Sequence, residues 1–350
     1  MSMIKKRYIL RTILVLFGVL MALSCAFVAE QYYRWNICNL RAKDNQPHGY
    51  MIYPNTPIDS VLDMLRKDYT ISSETDLRMH IRYLVFTRPE PGYYRFPEQI
   101  GDRDFIERLK YGHQTPVHVT WTNACRTREE LAGKISGRLM MDSLSLLELL
   151  EDDSFLEQYG LNKETSRCLF IPNTYEVYWT ITPEQFFARM KKEYDVFWTE
   201  ERLAKAQAIN LSPVEVAILA SIVESETYRK SDMPLVASLY LNRLRKGMAL
   251  QACPTVKYAL GDFHLKRILY RHLQVDSPYN TYKNRGLPPG PIRCPAPTTI
   301  DFVLNAPKTN YLYMCANPNL DGTHIFSSSF NGHANAAVQY HHVMNEKKIK

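Results

Sequence analysis

The amino-terminal segment places the strongest constraint on this chain. A basic cluster between positions 5 and 11 precedes an uncharged, mostly apolar run of 18 residues, from Thr12 to Ala29. A helix of that length spans about 27 Å, close to the thickness of a bilayer's hydrocarbon core. Because basic residues favour the cytoplasmic side, residues 1–30 are predicted to form a cytoplasmic tip and a single-pass transmembrane anchor, with the rest of the chain outside.

A cleaved signal peptide is the alternative interpretation of this segment. The apolar run is long for a signal peptide, and no clear cleavage site of small residues follows it. The sequence ending at Cys25 resembles a lipoprotein cleavage box, but Ala22 stands where leucine is usual. The uncleaved anchor is therefore the favoured prediction.

Composition limits the classes of function. With 45% hydrophobic and 23% charged residues over 350 positions, the chain suits a globular protein of two or three domains. A net charge of +7 suits an anionic surface such as a membrane or a wall polymer, but it is too mild to indicate nucleic-acid binding. No histidine or cysteine spacing indicates a metal site, and no glycine-rich phosphate loop is present, so neither a metal nor an organic cofactor is expected. Most of the seven cysteines are expected to be buried free thiols, and the pair Cys253 and Cys294 is the candidate disulfide.

The rest of the chain predicts an α+β protein in three segments. Residues 31–47 carry Arg34, Arg41, Lys43 and a polar end, and they are predicted to be a tether leaving the membrane. Residues 48–115 alternate short strand and helix patterns, which is typical of a small βα binding module. Residues 116–345 combine a strand near position 119, several amphipathic helices and long loops, and they are predicted to form a larger mixed α+β domain.

One helix in this larger domain has clear boundary signals. Ser212 is suited to the N-cap, Pro213 to the first helical position and Glu215 to the third, which together form a capping box. The helix is predicted over 213–225.

A carboxylate lies at the end of a row of small residues on this helix. Ala217, Ala220, Ser221 and Glu224 share one face, whereas Glu226 points about 200° away. A small face either lets another segment pack closely or leaves room for a ligand. Most glutamates at helix ends are simply solvated. A carboxyl in a partly apolar wall, however, has a raised pKa and can act as a proton donor.

Several of these segments resemble those of the MltG/YceG family of membrane-anchored endolytic murein transglycosylases. The matching stretches, in order, are LASIVESET, VASLYLNRLRKGMALQACPTVKYALG, SPYNTYKNRGLPPGPI, APKTNYLYM and HIFSSSFNGHANAAVQY. The resemblance covers roughly residues 115–345. It implies that residues 48–115 are a LysM-like module and that residues 116–345 are a YceG-like catalytic domain.

The resemblance implies that Glu224 is the catalytic residue. In that family role it protonates the bond between N-acetylmuramic acid and N-acetylglucosamine, and its carboxylate then removes the proton from the muramoyl C6 hydroxyl, which closes a 1,6-anhydro ring. One carboxylate suffices because the attacking group belongs to the substrate. The face formed by Ala217, Ala220 and Ser221 is then expected to leave a groove for a sugar ring.

The resemblance also assigns residues to substrate binding. The expected substrate-binding residues are Glu226, Gln251, Thr255, Tyr279, Asn280, Tyr282, His324 and Ser327. Two positions depart from the family pattern: Cys253 replaces an aspartate, and Ala334 follows His333 where asparagine is usual.

The resemblance further implies a location and partners. The enzyme is expected in the bacterial inner membrane with its catalytic domain on the periplasmic face, terminating growth of nascent glycan strands. Its expected partners are peptidoglycan and its synthases, the penicillin-binding proteins. Two alternatives stay open: a wall-binding scaffold without catalysis, and a hydrolytic muramidase, which would need a second carboxylate.

Overall fold

A computed structural model of the protein describes residues 2–265 and 267–346. The chain divides into two compact units, one formed by residues 1–117 with 176–180 and the other by residues 118–175 with 181–350. Both units combine helices with short strands, so the predicted mixed α+β class is confirmed.

The first helix, α1 (Ser2–Asn36), is the candidate membrane anchor. Its apolar side chains from Tyr8 to Val28 are exposed along the helix. Its length and composition suit a membrane span, and 35 residues correspond to about 52 Å of helix. This is consistent with the predicted anchor.

The stretch after the anchor differs from the predicted tether over 31–47. Residues up to Asn36 continue α1, and Leu40 and Ala42 are buried in the core of the first unit. Leu40 and Ala42 lie on a short strand that pairs with two others, so their side chains leave solvent despite their polar neighbours.

The first unit has two small antiparallel sheets. Its elements after α1 are β1 (Leu40–Ala42), β2 (His48–Ile52), α2 (Ile58–Asp68), β3 (Tyr69–Ile71), α3 (Glu74–Tyr83), β4 (Gly92–Phe96), β5 (Gln99–Ile100) and α4 (Asp102–Lys110). One sheet has the order β3-β1-β5, and the other pairs β2 with β4 so that Tyr50 lies opposite Tyr94. The assignment of residues 48–115 to a LysM-like module stays a prediction.

The second unit is mainly helical, and the chain passes between the two units after residues 117, 175 and 180. The elements from this point are β6 (Val117–Thr120), α5 (Arg128–Ser136), α6 (Ser143–Glu151), α7 (Asp153–Glu157), β7 (Thr174–Val177), α8 (Pro183–Phe197), α9 (Glu200–Ala208), α10 (Pro213–Glu226), α11 (Met233–Arg245), α12 (Cys253–Leu260), α13 (Pro297–Leu304), β8 (Tyr313–Ala316), β9 (His324–Ser327) and α14 (Phe330–Glu346). Strands β8 and β9 form an antiparallel hairpin.

Helix α10 is the central element of the second unit. The capping box is present: the Ser212 hydroxyl accepts from the Glu215 amide, and the Glu215 carboxylate accepts from the Ser212 amide at 2.8 Å. Every residue from Val216 to Glu224 is buried. A helix that is apolar on all sides is stable only inside a core, which fixes the position of the two carboxylates at its C-terminal end.

Candidate active site

Glu224 lies in the last turn of α10 and is held by two hydrogen-bond donors. The side-chain amide of Asn123 donates to Oε1 at 2.6 Å, and the backbone amide of Ala296 donates to Oε2 at 2.9 Å. Only 9% of the residue is exposed. The two hydrogen bonds fix the orientation of the carboxylate. The remaining lone pairs of its oxygens are the ones that can accept a proton.

Arg293 supports this arrangement from the segment that precedes α13. Its Nε donates to the backbone oxygen of Asn123 at 2.6 Å. Burial lowers the pKa of Arg293, and the nearby negative charge of Glu224 acts in the opposite direction. The guanidinium therefore fixes the loop that carries the amide donor to Glu224.

The small residues of α10 do not form a groove, so this expectation was wrong. Ala217, Ala220 and Ser221 are all buried. The Ser221 hydroxyl donates to the Ile218 carbonyl at 2.7 Å and accepts from the Ile292 amide at 3.1 Å. The small side chains instead allow the segment before α13 to pack directly on α10, which brings the Ala296 amide to Glu224.

Glu226, the last residue of α10, lies in a different environment from Glu224. The hydroxyl of Tyr240 donates to its Oε1 at 2.6 Å. Burial raises the pKa of Glu226 to about 7, although the Tyr240 hydrogen bond and the charges of Lys257 and Arg243 oppose the shift. Near neutral pH this carboxyl can therefore both hold and release a proton.

Two cavities meet at Glu226 and Cys253. The first has a volume of about 260 Å³ and is lined by Arg126, Ser225, Glu226, Cys253, Pro254, Lys257, Tyr258, Phe263, Ile292 and Arg293. The second has a volume of about 270 Å³ and is lined by Glu226, Leu239, Tyr240, Arg243, Leu250, Gln251, Cys253, Tyr282, Met314 and His333. The carboxyl of Glu226 therefore has a cavity with polar lining residues on each side of it, and together the two cavities form the cleft beside the end of α10.

Three of the expected substrate-binding residues lie together at this cleft: Glu226, Gln251 and Tyr282 line the second cavity. Gln251 has a φ of 52°, an uncommon conformation for a residue other than glycine. The Tyr282 hydroxyl lies 3.3 Å from the sulfur of Cys253.

Three others are buried and use their polar groups within the fold. The Thr255 hydroxyl donates to the Ala252 carbonyl, and the Tyr279 hydroxyl donates to Glu164 at 2.6 Å. The Asn280 amide donates to two backbone carbonyls of its own loop. These groups fix the loop that carries Tyr282, and none lines either cavity.

The last two expected residues lie on the β8–β9 hairpin. Both the backbone amide and the Nδ1 atom of His324 contact Asp232, at 2.7 and 3.0 Å. Ser327 lies opposite Tyr313 in the hairpin, and its carbonyl accepts from the Leu312 amide. Neither side chain lines the two cavities around Glu226.

Several residues of this site were missed by the sequence reasoning. They are Asn123, Arg126, Tyr240, Lys257 and Arg293. Asn123 is 101 residues from Glu224 in the chain, so no local spacing connects them. The one available signal was a polar side chain in the loop three residues after β6, since functional residues often lie on loops next to a rigid element.

All seven cysteines are free thiols in the structure, so the candidate disulfide between Cys253 and Cys294 is not formed. Cys294 is buried, and burial raises the pKa of its thiol to about 12. Cys253, at the start of α12, is instead part of the wall of both cavities.

The fold and the site define a mixed α+β protein with a carboxylate-centred cleft and an N-terminal helix suited to a membrane. The model of the YceG-like family matches residues 50–339, and the chain belongs to this family. The resemblance found in the sequence is thereby confirmed.

Named relatives and a solved structure agree with this membership. The chain is 29% identical over 306 residues to a Bacillus subtilis protein named endolytic murein transglycosylase, covering 83% of this chain and 84% of the relative. A Streptococcus pneumoniae protein of the same name is 27% identical over 273 residues, and the match covers 68% of this chain and 48% of that relative. The crystal structure of a putative YceG-like protein from Listeria monocytogenes matches with a TM-score of 0.55 and 26% identity, covering 83% of this chain and 98% of that one.

Proposed function

We propose that this protein is an endolytic murein transglycosylase, which cleaves peptidoglycan strands internally and leaves 1,6-anhydro ends. The family membership and the names of the relatives support the reaction class. The structural observation that carries the proposal is Glu224, a carboxylate at the end of a buried helix with one donor on each oxygen.

Glu224 is the proposed acid and base of the reaction. As an acid it gives its proton to the glycosidic oxygen, and the bond from that oxygen to C1 of N-acetylmuramic acid breaks. As a carboxylate it takes the proton of the muramoyl C6 hydroxyl, whose oxygen bonds to C1. No water is consumed and Glu224 regains its proton. The contacts from Asn123 and Ala296 fix the carboxyl for both steps, because proton transfer depends on position before it depends on pKa.

Glu226 has a separate proposed role in holding the substrate. Its carboxyl forms part of the wall of both cavities and is oriented by Tyr240. With a pKa of about 7 it can donate a hydrogen bond to a sugar hydroxyl while protonated. Gln251 and Tyr282 provide further polar groups in the same wall.

The decisive experiment compares the two carboxylates. Wild type, Glu224→Gln and Glu226→Gln, each as the full chain in detergent, are incubated with purified peptidoglycan, and the muropeptides are analysed by mass spectrometry. We expect anhydromuramoyl products from the wild type, a loss of at least about a hundredfold in Glu224→Gln, and the same products with a raised KM in Glu226→Gln.

The other outcomes of this experiment distinguish the alternatives. An active Glu224→Gln and an inactive Glu226→Gln would exchange the two roles. Reducing ends in place of anhydro ends would mean hydrolysis by a muramidase. No product from the wild type would favour a wall-binding scaffold.

We propose in addition that α1 anchors the enzyme in the bacterial inner membrane, with the rest of the chain on the periplasmic face. Residues 48–115 would then be a LysM-like module and residues 116–345 the catalytic domain, acting on nascent strands beside peptidoglycan synthases of the penicillin-binding type. The basic cluster before the apolar run supports this orientation. Protease added to spheroplasts should digest the chain beyond about residue 30, and full protection would contradict the orientation.

A further inference from the structure

The cavity of about 260 Å³ is rich in positive charge. Arg126, Lys257 and Arg293 all line it, and Glu226 is the one carboxylate among its lining residues in the described chain. The guanidinium of Arg126 lies over the ring of Phe263, 5.1 Å from the centroid, which orients it without neutralising its charge.

Three separate segments bring these cations together. Arg126 follows β6, Lys257 lies on α12 and Arg293 precedes α13. Grouping like charges at one cavity is unfavourable unless a counter-charge is present. Burial already lowers the pKa of Arg293, which shows the desolvation cost. The charge of Glu224 acts on Arg293, and Glu226, with a pKa of about 7, is only a partial counter-charge near neutral pH, so the three cations exceed the negative charge beside them.

The substrate provides a group that complements this cavity. The sugars of a glycan strand are neutral, whereas the peptides attached to the muramic acid residues carry free carboxylates. A carboxylate can accept charge-assisted hydrogen bonds from a guanidinium and from an ammonium group at once. We propose that the cavity lined by Arg126, Lys257 and Arg293 binds a carboxylate of this peptide, so that the enzyme recognises strands that still carry peptides. This inference rests on the proposed function of the same site.

The test measures preference between two substrates. Uncrosslinked strands with intact peptides and the same strands stripped of peptides by an amidase are supplied to the full chain in detergent. The ratio of the two kcat/KM values is determined from the rate of anhydro product formation. We expect the ratio to favour peptide-bearing strands in the wild type, and to fall by roughly tenfold or more in Lys257→Gln and in Arg126→Gln. Lys257→Arg should retain it.

A matched control and a binding measurement complete the test. Lys246→Gln removes an equal charge at an exposed residue outside the cavity and should leave the ratio unchanged. The dissociation constant of a soluble muramoyl peptide should rise in Lys257→Gln by a similar factor. An unchanged ratio and an unchanged dissociation constant in Lys257→Gln would overturn the inference while leaving the proposed function intact. A wild type that binds the muramoyl peptide through Lys257 but cleaves neither substrate would contradict the proposed function and uphold the inference.

Discussion

The ionisation of Glu226 gives a sharp prediction about stability. The pKa of this carboxyl is raised from 4.5 to about 7 by burial, so the folded protein retains a proton that the unfolded chain has already released. Below about pH 4.5 the carboxyl is protonated in both states, and the protein then has the full stability that the raised pKa allows. Between about pH 4.5 and 7 the unfolded chain has released its proton while the folded state still binds one, so this part of the stability falls, and it is fully lost once the pH passes 7 and the buried carboxyl ionises.

The magnitude follows from the size of the shift. A difference of about 2.5 pKa units corresponds to about 3 kcal/mol of unfolding free energy. Part of this change lies below pH 5, so about 2.5 kcal/mol remains between pH 5 and pH 8. Glu226→Gln removes the ionisation, and its amide oxygen can still accept from Tyr240. The variant should therefore lose this part of the pH dependence.

Thermal unfolding of the full chain in detergent, followed by tryptophan fluorescence, measures the effect. On cooperative unfolding of a unit of this size, about 2.5 kcal/mol shifts the melting temperature by roughly 5 to 10 °C. The wild type should lose that much more than Glu226→Gln when the pH is raised from 5 to 8. Glu157→Gln, at an exposed side chain, controls for the loss of one charge. Parallel curves for wild type and Glu226→Gln would refute the reasoning.

Three further predictions concern packing and thiols. Ser221→Ala leaves the buried Ile292 amide without its acceptor and should cost about 1 to 3 kcal/mol in the same melting experiment, with no loss if the amide finds another partner. Gly290→Ala would place a Cβ atom against the Glu164 carbonyl oxygen, so it should lower the melting temperature by forcing the backbone apart, and a wild-type melt would contradict this close approach. Denatured protein prepared without reductant should titrate seven thiols, whereas five would indicate a disulfide.

Local signals predicted α10 well. Its capping box needs only Ser212, Pro213 and Glu215, which lie within four consecutive positions, and the structure has the helix over Pro213–Glu226. The presence of Glu224 near its end followed directly. The same reasoning failed for the small residues beside Glu224, because spacing shows that they share a face but cannot show what packs there.

The expected substrate-binding residues also show what the sequence alone cannot predict. Thr255 on α12 and Asn280 on a loop are polar residues of the kind that often bind substrates, yet both are fully buried and hydrogen-bonded within the fold. Tyr282, two positions after Asn280, lines a cavity. Nothing in their residue types separates these outcomes, since the direction of each side chain depends on contacts with segments distant in sequence.

The sequence by itself therefore determined the apolar helix suited to a membrane, the mixed α+β class, the family and the helix that carries Glu224. Each of these depends on composition or on spacings of a few residues. Only the tertiary structure decided the donors to Glu224, from positions 101 and 72 residues away, and the cavities that surround Glu226. The reason is physical: capping and helical periodicity act between neighbours in the chain, whereas burial, and the pKa shift it causes at Glu226, depend on every segment that packs around the group.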